Sequence, residues 1–461
     1  MKKFLFIALL TTVCIPVVSQ ELYGKKLLKK AASYSKTGKE EEARKVLLKN
    51  YTPEDKYASN INLEIGKLYA KAKMLDSAHI YFDSTANGNN SKLKEDLESA
   101  RKLVKNNKEQ YQIEILSGWR IMDKKTDLES AISAFESALK LDVGNYEAYQ
   151  GIGEVLTKQG KNKEAMVWYA KAITKYFPSN EEKAHCYEHM AISQVNLQKT
   201  GEAINYCNKG LMLNSKNKGL LFIRAKSYFS QNLFLEANTD FIKVIRLQPD
   251  NAEAWFYSGA SYLKMQDYQN AVNSLSSCIT YDSTNQNAYK SRGEAYVSQL
   301  DFENGKKDFQ YLAKVIPSNF YAINAMGICD YYLRNFPESV KNFETVSSLN
   351  APEYYKYNLV RAYMENDQNK EALIICKEWA QSNRGNLRYN VVHIKTLMNL
   401  NKFKEAQTYL EESMKMNAFV VEYLELAKEI YERSGYKRAA KDAASQIGSI
   451  QINPINQDLL F

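Results

Sequence analysis

The chain has few residues that break helices. It holds 8 Pro and 19 Gly among 461 positions. A Pro inside a helix costs about 3 kcal/mol and a Gly about 1 kcal/mol. Their scarcity leaves room for long helices and excludes a collagen-like or proline-rich chain. Cysteine is also scarce, and Cys14 sits in an apolar leader, so five of the six remain beyond it. An odd number excludes a complete disulfide framework. Cys207, Cys278 and Cys376 fall where core residues are expected, which reads as buried thiols. Of the four histidines, His185 and His189 lie four apart on one predicted helix. That spacing puts two imidazoles on one face, as a metal site requires. No third ligand is placed by the sequence, and the order is not His-Glu-x-x-His, so surface histidines are expected. His79 and His393 are isolated. Gly160-Lys161 follows Gly153, but six residues intervene where a phosphate loop needs four, and no strand precedes it. There is no Gly-x-Ser-x-Gly motif. Only scattered carboxylates remain, so the chain is expected to be no enzyme and to hold no metal or cofactor.

Charge of one sign is not abundant either. The formal net charge is +9, from 62 basic and 53 acidic residues interleaved along the chain. Such interleaving reads as a solvated helix surface and argues against nucleic-acid binding. A long hydrophobic run is missing beyond the first 20 residues, so no later stretch is expected to cross a membrane. The first residues differ in kind. Lys2-Lys3 precede an apolar run from Phe4 to Leu10, extended by Val13 to Val18. This is the pattern of a secretory signal, with Val17 and Ser19 set for cleavage before Gln20. A lipoprotein reading at Cys14 is disfavoured because bulky Val13 precedes it. The chain is therefore expected to be exported, bacterial, and periplasmic or envelope-associated, with +7 once Lys2 and Lys3 are removed.

What is present is a repeat. Between Gly219 and Asn285 one pattern occurs twice. Trp255 is followed by Gly259, Tyr262, Ala271, Leu275 and Cys278. Leu221 is followed at the same offsets by Ala225, Tyr228, Ala237, Phe241 and Val244, and Pro249 closes that copy. A small residue such as Gly259 or Ala271 lets two helices of a hairpin approach, and Met265-Gln266-Asp267-Tyr268 reads as the turn between them. One hairpin cannot bury its apolar stripe alone, so neighbours must stack. The pattern resembles the tetratricopeptide repeat, which reads Trp, Leu-Gly, Tyr, Ala, Phe, Pro over about 34 residues.

Weaker copies extend the resemblance over most of the chain. The expected fold is all-α, a right-handed α-solenoid of about twelve such hairpins. The organisation reads as a signal peptide at 1–19, an N-terminal repeat pair at 20–92, and an inserted helix with a hinge at 93–111. The main array follows at 112–446, then a loosely docked C-terminal tail at 447–461. The hinge is assigned to Asn106-Asn107-Lys108, and a turn to Asn87-Gly88-Asn89-Asn90. Ser339 and Gly305 replace the usual Ala, and Val360 and Ile394 the usual small residue, so those hairpins are expected to pack slightly wider.

The resemblance also implies a concave groove, lined by the first helix of each hairpin, that binds peptides or proteins. Positions three before and one after the small residue share its face. Reading them gives a candidate groove of Phe222, Lys226, Phe256, Tyr357, Arg361, Lys395 and Lys428, with Val391 and Leu424 beside the last two cations. Arg361, Lys395 and Lys428 are expected to form a ladder for an acidic and apolar segment. The implied function is a non-enzymatic scaffold for a protein or peptide partner. The alternative is an accessory subunit of a bacterial envelope assembly, in secretion or outer-membrane biogenesis.

Overall fold

One backbone feature sets the period. Residues in the left-handed region recur as Gln198, Asn232, Gln266, Leu300, Arg334, Asp367, Asn401 and Gly435, 34 apart except for one step of 33. Each ends the first helix of a hairpin. At Gln266 the amide of Asp267 donates to Tyr262 O at 2.9 Å, and that of Gln266 to Leu263 O at 3.1 Å. These two bonds satisfy carbonyls that the helix end would otherwise leave open. Asp267 then turns to the next helix, its carboxylate accepting from the Asn270 amide at 3.3 Å. Leu300, at φ 63°, adopts this conformation against a steric penalty of roughly 1–2 kcal/mol. The packing on both sides of the turn imposes it.

The structure is a computed structural model that describes residues 17–51, 57–85, 91–124, 127–349, 351–382, 385–416 and 420–447. Cys14, the turn assigned to Asn87–Asn90 and the tail beyond Ile447 lie outside the described residues. Among the described residues there are twenty-four α-helices and one 3-10 turn, packed as consecutive pairs. The fold is the all-helical stack of hairpins expected. It divides into two compact units, Met1–Asn232 and Leu233–Phe461.

Within a hairpin the small residue does what the spacing requires. A Cβ built on Gly259 would stand 2.6 Å from Leu275 Cγ, and one on Gly327 would stand 2.6 Å from Phe343 Cε1. The partner sits sixteen residues later in both, fully or almost fully buried. The substituted positions are absorbed. Ser339 is buried and donates to Gly327 O at 2.8 Å, while Val360 and Ile394 are fully buried. Asparagine starts the first helices. Asn217, Asn251, Asn285 and Asn319 each accept from the amide three residues on, at 2.9 to 3.2 Å.

The first unit departs from the expected hinge. Residues Ser91–Lys124 form one continuous helix of 34 residues that runs straight through Asn106-Asn107-Lys108. Two asparagines cost a helix only about 0.7 kcal/mol each. The buried stripe Leu93, Leu97, Val104, Tyr111, Ile115, Gly118 and Met122 outweighs that. Its first half packs on Leu63, Leu75, Ala78 and Phe82. Its second half pairs with Ala131, Phe135 and Ala138. The same helix is thus both the insert and the start of the next hairpin. A clasp bypasses it. The Val143 amide donates to Lys73 O at 2.7 Å, and buried Asp142 accepts from Leu75 N at 3.3 Å and Gly144 N at 2.8 Å.

Candidate partner-binding face

The predicted groove residues divide between the two units. Phe222 and Lys226 lie in the first, on the helix Lys218–Ser230. There the Lys226 ammonium stands 5.3 Å from the centre of the Phe222 ring. Phe256 lies in the second unit on Ala252–Lys264, half-buried, with its ring edge-on to Tyr257 at 5.3 Å.

The other four lie on three first helices of the second unit, Lys356–Glu365, Leu387–Asn399 and Val421–Arg433. Two of the expectations need correction. Tyr357 is fully buried, as Val391 and Leu424 are nearly so. Tyr357 stacks on Tyr389 of the next repeat, ring centres 6.4 Å apart, and these buried positions present no surface. Lys428 is exposed but out of register. Arg361 and Lys395 each precede their left-handed turn residue, Asp367 and Asn401, by six positions. The residue six before Gly435 is Glu429. Ala427 and Lys428 each sit one step further from the turn than the equivalent residues of the earlier hairpins. The third rung of the ladder is acidic.

What the structure brings together is a network across repeats. Arg361 Nη2 donates to the Tyr331 hydroxyl at 2.9 Å, with the guanidinium 5.8 Å from that ring's centre. Tyr331 in turn donates to Glu365 Oε1 at 3.4 Å. Arg361 Nη1 reaches the buried Tyr357 hydroxyl at 3.4 Å. Below them Asn358 Nδ2 donates to Asn324 Oδ1 at 2.8 Å, both side chains fully buried. One repeat further back, Tyr321 donates to Glu294 Oε1 at 2.6 Å while Lys290 lies 4.4 Å over its ring. Tyr331 was not among the predicted residues. It lies three positions beyond Ile328 on the same helical face, so extending the groove reading by one turn reaches it.

Lys395 is half-buried at the centre of this face. Burial holds its ammonium below the ordinary lysine range, and the Arg361 charge adds to the effect. Glu425, Glu429 and Glu422 on the last first helix push the other way without restoring it. Two cations from adjacent repeats therefore act on each other across this face, with the carboxylates of the last first helix opposing the effect.

The remaining candidates for chemistry are dispersed. His189 Nε2 lies 3.0 Å from Glu154, and His185 Nδ1 lies 3.3 Å from Glu188, so the two imidazoles serve different carboxylates. Among the described residues no group of three or more His, Cys, Asp or Glu is placed to hold a metal. Cys186, Cys207, Cys278, Cys329 and Cys376 are buried thiols outside any disulfide. Burial pushes the Cys186 and Cys376 thiols up to about 12, far from nucleophilic thiolate. No helix of the described residues is long and apolar enough to cross a membrane.

Two segments, residues 124–180 and 224–277, match the family model of the tetratricopeptide repeat. The chain carries tetratricopeptide repeats. The mouse (Mus musculus) peptidyl-prolyl cis-trans isomerase FKBP4 is 32% identical over 160 residues, 32% of this chain and 34% of the relative. The chain thus spans about a third of the length of the curated relatives it matches. Among solved structures, a tetratricopeptide repeat protein from Parabacteroides merdae is 19% identical. It covers 56% of this chain and 99% of its own, with a TM-score of 0.38. YrrB, described as a tetratricopeptide repeat protein with an unusual peptide-binding site, is 22% identical. It covers 41% of this chain and 94% of its own, with a TM-score of 0.34.

Proposed function

We propose that the chain is a non-enzymatic scaffold whose tetratricopeptide repeats hold a protein partner. The partner lies against the first-helix face of the second unit. The observation that carries this reading is the pair Arg361 and Lys395. The guanidinium is fixed by Tyr331 and Tyr357, and the half-buried Lys395 ammonium on the next repeat feels its charge. A carboxylate placed against them relieves that repulsion at little cost in ordering, because the guanidinium is already held. Glu425 on the next repeat, beside Glu429 that pairs with Arg433 at 2.6 Å, then selects a basic or polar residue further along the segment. The partner fitted to this face presents acidic before basic groups, in the direction from Arg361 to Glu429. Replacing both cations, Arg361→Glu with Lys395→Glu, tests the reading by affinity capture from envelope extract. The partner should be lost while the helical signal is kept. Undiminished capture by that variant means the partner binds elsewhere.

We also propose that the chain is exported to the bacterial envelope, where its partner is a component of an envelope assembly. The leader from Lys2 to Ser19 supports this. Mass spectrometry of the mature N-terminus should read Gln20. Acylation at Cys14, or a retained leader, contradicts the assignment.

A further inference from the structure

The first hairpin carries a marked excess of positive charge. This hairpin, Val17–Lys49, holds nine Lys or Arg and four Glu, a net +5. Two of those glutamates are engaged, Glu40 with Lys71 and Glu41 with Lys45. A terminal repeat needs a polar outer surface to stay soluble, but mixed charges would meet that need, and a single sign does not follow from it. The lysines are also arranged. A cleft of about 450 Å³ lies between the helices Val17–Lys36 and Glu40–Lys49. Lys26 and Lys30, one helical turn apart, form one rim. Lys45 and Lys49, also one turn apart, form the other. Leu27 and Val46 make an apolar floor between them.

We infer that this cleft binds an acidic polypeptide segment carrying an apolar residue between its carboxylates. Four ammonium groups on two facing rims, of which Lys45 also meets the exposed Glu41 at 2.7 Å, match carboxylates projecting to both sides of an extended backbone, and the floor takes the side chain between them. A bilayer surface fits less well, because a flat array of headgroups cannot reach the floor of a cleft between two helices. The site is independent of Arg361 and Lys395, so it stands or falls apart from the face proposed above.

The test is fluorescence anisotropy of the full chain with a labelled nonapeptide of repeating Glu-Leu-Glu. Two variants carry the same charge change. One removes the rims, Lys26→Ala, Lys30→Ala, Lys45→Ala and Lys49→Ala. The other removes exposed lysines of the same hairpin that do not line the cleft, Lys25→Ala, Lys29→Ala, Lys36→Ala and Lys39→Ala. Alanine favours helix, so both should fold. The rim variant should bind the peptide about tenfold more weakly, and the matched variant within about threefold of the parent. Equal weakening in both would show diffuse attraction by a cationic surface and overturn the site. So would no binding of the peptide by the parent chain. Sedimentation with vesicles of anionic phospholipid, lost equally in both variants, would assign the charge to a membrane surface instead.

Discussion

Gly259 and Gly201 receive the same chemical change with opposite expected outcomes. Both lie in helices, Ala252–Lys264 and Thr200–Leu213. Replacing Gly by Ala in a helix gains up to about 1 kcal/mol through backbone entropy, if nothing obstructs the methyl. At Gly201 nothing lies within 4 Å of the new Cβ, so Gly201→Ala should stabilise by up to that amount. At Gly259 the methyl would stand 2.6 Å from Leu275 Cγ, 3.0 Å from its Cδ2 and 3.2 Å from its backbone nitrogen. Carbon atoms pack best at about 3.5–4.0 Å, so the overlap is about 1 Å. Leu275 is fully buried and has no space to retreat into. Overpacking of this kind costs about 1–3 kcal/mol, which exceeds the propensity gain or cancels it. The two variants should therefore differ by about 1–3 kcal/mol in the urea midpoint followed by helical circular dichroism. If Gly259→Ala is as stable as Gly201→Ala, the helices do not meet where the hairpin packing requires.

Two further outcomes follow from the caps and the clasp. Asn285→Ala removes the side-chain acceptor that holds the Ala288 amide at 3.0 Å. It should destabilise the second unit by about 1 kcal/mol in the same assay, and a neutral result would mean the cap is redundant. Burial raises the carboxyl of Asp142 above its ordinary range, and likewise that of Glu147. An acid raised in the folded state keeps its proton where the unfolded chain has lost it. Its contribution is therefore greatest at low pH and declines as pH rises through the folded value. Asp142→Asn, which keeps an acceptor oxygen, should gain stability relative to the parent as pH rises above the ordinary carboxylate range. A difference that does not change with pH would show that Asp142 is ionised throughout.

The period of the fold is legible in the sequence because it rests on close approach. Gly259 and Leu275, sixteen apart on either side of Gln266, leave a pattern that repeats every 34 residues. The turn at Met265–Asp267 reads equally well. Asn217, Asn251, Asn285 and Asn319 carry the same period and mark the helix starts. Where local preference and burial disagree, burial decides, as at Asn106-Asn107, where a continuous apolar stripe overrides two weak helix formers. The candidate face is less legible. A single helix shows which side is apolar, but not which apolar residues the next repeat covers, so Tyr357 reads as surface and lies in the core. In the last hairpin Ala427 mimics the small packing residue, and only the left-handed Gly435 fixes the register that puts Glu429 on the rung. Tyr331 anchors Arg361 from another repeat, a contact that no spacing within one helix reveals.

The most direct measurement is site-specific photo-crosslinking in intact cells of the native host. A photoreactive residue at Lys395 reports on the first-helix face. One at Ile374, exposed on the second helix Asn369–Ser382, reports on the second-helix side of the neighbouring repeat, the one that carries Arg361. A discrete crosslinked partner at Lys395, absent at Ile374 and lost with Arg361→Glu, is the predicted result. The same partner at Ile374, with none at Lys395, would contradict binding on the first-helix face.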